Sequence, residues 1–452
     1  MQTSSRASKV PLPAQQTGHQ DPESRAKPRY AGFSVRTRMA LQAGRAATRL
    51  SKALRRGRGA TIGGEVALRL DPDALARLAT GRRIALVTGT NGKSTTARML
   101  ADAVRTQGRV AFNGTGANLQ NGLVAALNQD RAAEFAVLEL DEIFLGPVAR
   151  AVRPEVIVLL NLSREFTRGV SLARTLNHWR ETFQSIDWPC RVVANVDDPL
   201  VYYAASGAPE VVGVSAGLLW SDDAVLCPSC RTLLIRNESD WACLGCGLHR
   251  PEPEWTLAGD EVSGPAGAAR LDLAIGGRAA RKGGLLAAAA AAELGVSPMA
   301  ACEAINAVWD VDGRYAPFDV DGHLVHLFLV KNPAGWHEMI DLAATRGAQM
   351  VFAIDAFGIK DTAVLWDAPA EMLTSVPITV TGLRRYDLAA WLTASGVRVH
   401  VGTIDPLRAI AALPPGDVCV ATNYSAFKSI RRRLAPYRTG VAPAPRQGGA
   451  DA

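Results

Sequence analysis

Ile84-Ala85-Leu86-Val87-Thr88-Gly89-Thr90-Asn91-Gly92-Lys93-Ser94-Thr95 is the stretch that decides the fold. Four apolar residues, enough for a buried strand, run into a turn with two glycines. Ser94 and Thr95 then open an Ala- and Leu-rich segment with helical periodicity. Strand, glycine turn and helix in that order form a phosphate cradle. Gly89 and Gly92 let backbone N–H groups approach the anion, and the helix N-terminus adds its partial positive charge. Lys93 then reaches the β and γ phosphates while the Ser94 hydroxyl ligates Mg2+, so residues Gly89, Thr90, Asn91, Gly92, Lys93, Ser94 and Thr95 are expected to bind ATP. The strict spacing of such a loop would place Gly where Val87 stands, which is a departure at one position.

Working outward, short apolar runs at 84–89, 110–114, 135–140, 156–161 and 191–196 alternate with helical segments, including one near 123–127. That order predicts an α/β fold, a parallel sheet with helices on both faces. Ligands of such sheets gather at the carboxyl ends of the strands, where Thr88, Asn113, Glu139, Asn161 and Asn195 fall. Glu139 is the first candidate for a carboxylate beside the phosphate loop. Strand alternation puts Asp141 on its face and turns Glu142 elsewhere. The pattern breaks at 226–247 and resumes with helices around 284–294 and 298–309. A second alternating set from 323 to 422 predicts a smaller α/β domain.

The break holds Cys227-x-x-Cys230, twelve further residues, and Cys243-x-x-Cys246. Two such pairs are the spacing of a zinc ribbon, in which four thiolates surround one Zn2+. Four thiolates leave no position for a catalytic water, so the expected role is structural. Cys190, Cys302 and Cys419 lie in apolar or mixed sequence and read as core residues.

The chain has 452 residues, too many for one ordinary domain, and a net charge of +7 that is unevenly spread. Residues 1–58 hold thirteen Lys or Arg against Asp21 and Glu23, which leaves the remainder net acidic. The global charge is therefore no sign of nucleic-acid binding, and none is expected. No run of some 18 uncharged apolar residues occurs, and residues 1–29 lack the apolar core of a signal peptide, so a cytoplasmic location is expected. The expected organisation is a disordered basic tail (1–35), a basic helix (36–58), an ATP-binding domain (59–312) with the ribbon at 225–248, a C-terminal α/β domain (313–438) and a loose tail (439–452). The basic helix either lies on a membrane surface or packs on the body.

Thr88-Gly89-Thr90-Asn91-Gly92-Lys93-Ser94-Thr95 after a strand resembles the phosphate loop of the Mur ligases and folylpolyglutamate synthases, which form amide bonds by way of an acyl phosphate. The resemblance implies that Glu139 holds Mg2+, that Asn195 and Asp198 of the segment Asn195-Val196-Asp197-Asp198-Pro199 lie at the nucleotide base, and that Arg314 of Gly313-Arg314 reaches ATP phosphates. A ribbon inside such a domain, followed by Leu329-Val330-Lys331-Asn332-Pro333-Ala334-Gly335, by Thr381-Gly382-Leu383-Arg384-Arg385-Tyr386-Asp387 and by Thr422-Asn423-Tyr424-Ser425-Ala426, is similar to the MurT type, the synthetase subunit of lipid II isoglutaminyl synthase.

That likeness implies ATP-dependent amidation of the D-glutamate α-carboxylate in the lipid II stem peptide, at the inner face of the membrane. The ammonia would come from a GatD-like glutaminase subunit in a heterodimer. One of Asp355, Asp361 and Asp367 would assist the partner's catalytic site, and the sequence does not choose among them. Two segments depart from the family pattern: Asn161-Leu162-Ser163-Arg164-Glu165-Phe166-Thr167-Arg168 and Arg281-Lys282-Gly283-Gly284. Two further readings remain open, a Mur- or folylpolyglutamate-type amino-acid ligase acting on another carboxylate, and a nucleic-acid-binding zinc-ribbon ATPase.

Overall fold

The structure, a computed structural model, describes residues 33–54, 61–114, 116–164, 171–217, 222–237, 240–273, 275, 277–309, 317–355, 369–374 and 376–438. Three helices lead in: α1 (Val35–Ala53), α2 (Ile62–Leu70) and α3 (Ala74–Ala79). Ser34 starts α1, its hydroxyl accepting from Thr37 N at 3.2 Å. The α/β alternation follows: β1 (Arg83–Thr88), α4 (Lys93–Val104), β2 (Val110–Phe112), α5 (Gln120–Gln129), β3 (Phe135–Glu139), α6 (Leu145–Val152), β4 (Val156–Leu159), α7 (Leu172–Gln184), β5 (Arg191–Asn195), α8 (Pro199–Ala205) and β6 (Val211–Ser215).

A two-stranded hairpin, β7 (Ile235–Arg236) and β8 (Trp241–Ala242), is flanked by the ribbon cysteines, Cys227 and Cys230 before it and Cys243 and Cys246 after it. Three strands that the sequence pattern did not predict come next: β9 (Trp255–Ala258), β10 (Glu261–Gly264) and β11 (Gly267–Arg270). They extend the main sheet to nine strands in the order β11-β10-β9-β6-β5-β4-β1-β3-β2, with β9 parallel to β6 and the β10–β11 hairpin antiparallel at the edge. Helices α9 (Arg278–Glu293) and α10 (Pro298–Asn306) close this part of the chain.

Alternate side chains of the central strands feed two cores. Ala85, Val87, Val137 and Val158 face α4, α9 and α10, whereas Ile84, Leu86, Leu138 and Ile157 face α3 and α5 to α8. Both faces are apolar, which is why these strands read as unbroken hydrophobic runs. β1 lies between β4 and β3, so the connections leave it in both directions and a crevice opens at its carboxyl end.

The second sheet has six strands, β12 (Pro317–Val320), β13 (His323–Leu329), β14 (Gln349–Ala353), β15 (Ile378–Thr381), β16 (Val399–Val401) and β17 (Gly416–Thr422), ordered β12-β13-β17-β14-β15-β16. All pairs are parallel except the β12 edge. Helices α11 (Pro333–Arg346) and α12 (Arg385–Ala394) cover one face, and α13 (Pro406–Ala411) and α14 (Tyr424–Leu434) the other. Asn332 caps α11, its side-chain oxygen accepting from Gly335 N at 3.0 Å. That turn is aimed at the first sheet.

Candidate active site

The phosphate loop is held open from behind. Gly89 has φ 146° and Gly92 φ 80°, both in the region that disfavours a side chain, and a Cβ on Gly89 would lie 2.9 Å from Leu160 Cβ. Asn161, at the end of β4, braces the turn. Its carbonyl accepts from Thr90 N at 3.0 Å, its side-chain oxygen accepts from Asn91 N at 2.9 Å, and its Nδ2 donates to the Asn91 carbonyl at 3.1 Å. Ser163 N donates to the Thr90 hydroxyl at 3.0 Å. The first helical bond of α4 runs from Thr96 N to Gly92 O, so the N–H groups ahead of it project from the helix end, where an anion gains most.

Two carboxylates meet this helix end. Ser94 Oγ donates to Glu139 Oε2 at 2.7 Å, and Lys93 Nζ lies 3.0 Å from Glu142 Oε2, with Lys93 7% and Glu142 9% exposed at the side chain. Lys93 Nζ also donates to the carbonyls of Gly89 and Thr90. The Glu142 contact corrects the expectation from strand alternation. β3 ends at Glu139, and Asp141 caps a short 3-10 turn, accepting from Ile143 N at 3.3 Å, which swings Glu142 back to the lysine. Asn113 fixes Glu139 from the other side, accepting from its N–H and donating to its carbonyl, each at 2.8 Å.

Glu139 is fully buried, and its Oε1 has no hydrogen-bond partner among the described residues. An unsatisfied carboxylate oxygen beside a serine hydroxyl is a costly arrangement for a purely structural acid and suits a hard cation. Glu139 and Ser94 therefore fit Mg2+.

Asn195 is placed differently from its expected role. It lines the crevice, but its Nδ2 donates to the Leu160 carbonyl at 2.9 Å and its Oδ1 accepts from Asp197 N at 3.2 Å, so the amide holds backbone rather than presenting a free edge. Asp198 caps α8, accepting from Leu200 N at 2.9 Å, and accepts from Leu162 N at 3.0 Å. Burial pushes its carboxyl above the usual range against those backbone bonds.

Asp197 ties in the ribbon. It accepts from Ser215 Oγ at 2.7 Å and from Arg250 Nε at 3.0 Å, and Trp241 Nε1 donates to the Val196 carbonyl at 3.0 Å. The four cysteine sulfurs lie within 4.8 Å of one another, with Cys227 and Cys246 3.6 Å apart and Cys230 and Cys243 3.4 Å apart. Zn–S bonds of about 2.3 Å in a tetrahedron place sulfurs about 3.8 Å apart. The set therefore fits a four-thiolate metal site. Cys190, Cys302 and Cys419 are buried core residues, their thiols pushed by burial to about 12, about 11 and about 12.

The second sheet closes the crevice. Lys331 Nζ donates to the Thr90 carbonyl at 3.2 Å, and Asn91 Nδ2 donates to Asn332 Oδ1 at 3.1 Å. Two cavities lie along this seam. One of ≈ 200 Å³ runs over Gly92, Lys93 and Ser94 to Lys331, and one of ≈ 160 Å³ lies beside Asn195, Asp198 and Lys282. Glu338 of α11 borders both, and burial raises its carboxyl to about 7 although Lys282 pulls it down.

Asp355 sits at the end of β14, accepting from Leu383 N at 2.9 Å, and borders neither cavity. Arg314, Asp361 and Asp367 lie outside the described residues. Sequence reasoning put Asn161 at a strand end of the crevice without a role, and left Glu142, Lys331, Asn332 and Glu338 out of the site. Lys331 and Asn332 stood in a segment already singled out, directly before a helix-starting proline.

Residues 87–217 match the family model of the Mur ligase middle domain, and 329–427 match that of the MurT ligase C-terminal region. The lipid II isoglutaminyl synthase (glutamine-hydrolyzing) subunit MurT of Streptococcus pneumoniae is 30% identical over 397 residues, covering 80% of this chain and 88% of that protein. The subunit of the same name from Staphylococcus aureus is 24% identical over 372 residues, covering 76% and 85%. Among solved structures, a pseudomurein peptide ligase type C from Methanothermus fervidus matches with a TM-score of 0.62 at 20% identity (78% and 79% covered), and MurF ligase from Thermotoga maritima in complex with ADP with 0.58 at 15% (83% of each). With the phosphate loop, its two carboxylates and the ribbon in one chain, the protein belongs to the Mur ligase family, in its MurT branch, and is an ATP-dependent ligase.

Proposed function

We propose that this chain amidates the D-glutamate α-carboxylate of the lipid II stem peptide, using ATP and ammonia released by a separate GatD-like glutaminase subunit. The observation that carries the reading is the loop itself, with Lys93 paired to Glu142 and Ser94 to Glu139 under a lid formed by Lys331 and Asn332. The names of the curated relatives supply the acceptor and the nitrogen source.

In the first step an acceptor carboxylate oxygen attacks the γ phosphorus, the bond to the β-phosphate oxygen breaks, and ADP leaves. The N–H groups at the start of α4 and the Lys93 ammonium stand where the charge moves, which is most of what phosphoryl transfer asks of a protein. Magnesium, when bound at Ser94 and Glu139, neutralises phosphate oxygens. In the second step ammonia attacks the acyl carbon, the nitrogen loses a proton, and inorganic phosphate departs. Closure of the seam keeps water from the activated acyl group.

Ammonia from elsewhere agrees with the cysteines. Outside the ribbon, those among the described residues are buried with raised pKa values, the opposite of an activated nucleophile. The proposed partner would dock on the second sheet, where Asp355, Asp361 or Asp367 assists it. Work at a lipid-linked acceptor would place the protein at the inner membrane face. Among the described residues no helix is long and apolar enough to cross a membrane.

The test is ADP release from the full chain with lipid II, the glutaminase and glutamine, each omitted in turn. All three are expected to be required, and Lys93→Ala is expected to abolish turnover. ADP release driven by a free amino acid without the partner would instead identify an amino-acid ligase.

A further inference from the structure

A third cavity, of ≈ 420 Å³, lies away from the seam, between α1 and the turn after β2. Arg45, Arg49 and Lys52 of α1 line one wall. Their spacing of four and then three residues places them on one helix face. Asn113 and Gln129 stand on the other side, and among the described residues no carboxylate lines the cavity.

Several helix-surface cations elsewhere in the chain do have a carboxylate partner. Arg69 pairs with Glu65, Arg77 with Asp73, and Arg98 and Arg105 with Asp102. Among the described residues none of Arg45, Arg49 and Lys52 has such a partner. Three cations along two helical turns repel one another, so the groove is primed for a ligand with more than one negative charge. Asn113, a buried residue of its lining, is the one that grips the backbone of Glu139. A ligand lying in the groove therefore leads toward the phosphoryl-transfer centre.

We propose that this groove is the anion subsite for the acceptor, in which Arg45, Arg49 and Lys52 hold a diphosphate group while the acceptor's carboxyl end passes Asn113 toward the phosphate loop. Guanidinium forks suit phosphate oxygens, and the two flexible cations near the end of α1 adapt to either phosphoryl group. The inference rests on the proposed amidation of a lipid-linked precursor, and names the part of that precursor that the protein grips. An anionic bilayer presents the same phosphate chemistry, so the test separates the two sources.

The experiment uses the full chain in neutral detergent micelles, with ATP, Mg2+ and ammonium chloride as nitrogen source, and two acceptors that differ only in the diphosphate. The triple variant Arg45→Gln/Arg49→Gln/Lys52→Gln is compared with the double variant Arg49→Gln/Lys52→Gln, which changes only exposed side chains. Wild type is expected to show the lower KM for the diphosphate acceptor. In the triple variant that KM rises about tenfold or more, the gap between the two acceptors closes, and the KM for ATP stays put. The double variant shifts the same way by less. Inorganic pyrophosphate is expected to compete with the diphosphate acceptor in wild type and not in the triple variant.

An unchanged KM gap in both variants overturns the proposal. So does loss of sedimentation with phosphatidylglycerol vesicles alone, which would make the groove a bilayer contact. Direct titration with pyrophosphate separates failure of the subsite from failure of the proposed function. If wild type turns over neither acceptor yet binds pyrophosphate through the three cations, the function is wrong and the subsite stands.

Discussion

Replacing Glu142 with Gln isolates the charge that holds Lys93 in the unliganded protein. The pair is 3.0 Å apart with both side chains less than a tenth exposed, and removing one partner of a buried pair costs about 3–5 kcal/mol when the remaining charge has nothing else. Lys93 keeps the Gly89 and Thr90 carbonyls and gains the Gln oxygen in place of the carboxylate. We therefore expect a loss nearer 2 kcal/mol, which for a domain of about 250 residues unfolding as a unit lowers Tm by about 4 °C.

With nucleotide bound the sign changes. Phosphate oxygens supply the negative charge, and in wild type they compete with Glu142 for the same ammonium. The variant is free of that competition. Thermal shift with and without Mg-ATP reads both effects, and the ATP-induced rise in Tm is expected to be larger in Glu142→Gln than in wild type. An unliganded Tm equal to wild type, or a smaller ATP-induced rise, would refute the argument.

Glu139→Gln is expected to lower kcat by about a hundredfold or more while ATP still binds, as measured by single-turnover ADP release and by nucleotide titration. Cys230→Ser/Cys246→Ser is expected to leave well below one zinc per chain by elemental analysis. It should also raise the KM for ATP if nucleotide occupies the cavity beside Asn195, because Trp241 and Arg250 of the ribbon hold the Val196–Asp197 turn that borders it. Glu338, with its carboxyl raised to about 7, favours the protonated form on folding. Its contribution to stability is present below the ordinary carboxylate range and is lost as pH rises through 7. Glu338→Gln should accordingly be more stable than wild type at pH 8 and indistinguishable near pH 4.5. Parallel Tm curves across that window would contradict it.

The first sheet could be read in the sequence because β1, β3, β4 and β5 are buried on both faces, and continuous apolar runs ending in a polar residue leave little choice. The cysteine ribbon was legible for a different reason, since metal geometry fixes the spacing of its ligands. The edge strands β9 to β11 were not. Gly264, Gly267, Ala268 and Ala269 carry little hydrophobic alternation, and the tertiary contact of Trp255 with the sheet decides their conformation. Within the site, the phosphate loop and Glu139 were readable from local chemistry. Glu142 was misread because strand alternation was carried past the end of the strand. Asn332 was out of reach for a local reading, since it meets Asn91 from 241 positions away.

That distant contact makes the phosphate loop part of the joint between the two sheets. Thr90 and Asn91 touch the second sheet through Lys331 and Asn332, and the same turn is the one proposed to cradle the triphosphate. A phosphate in the cavity that runs from Lys93 to Lys331 would lie between cations of both sheets, and its charge would hold the seam shut. Cradle and joint are thus one turn of chain, shared between the two sheets.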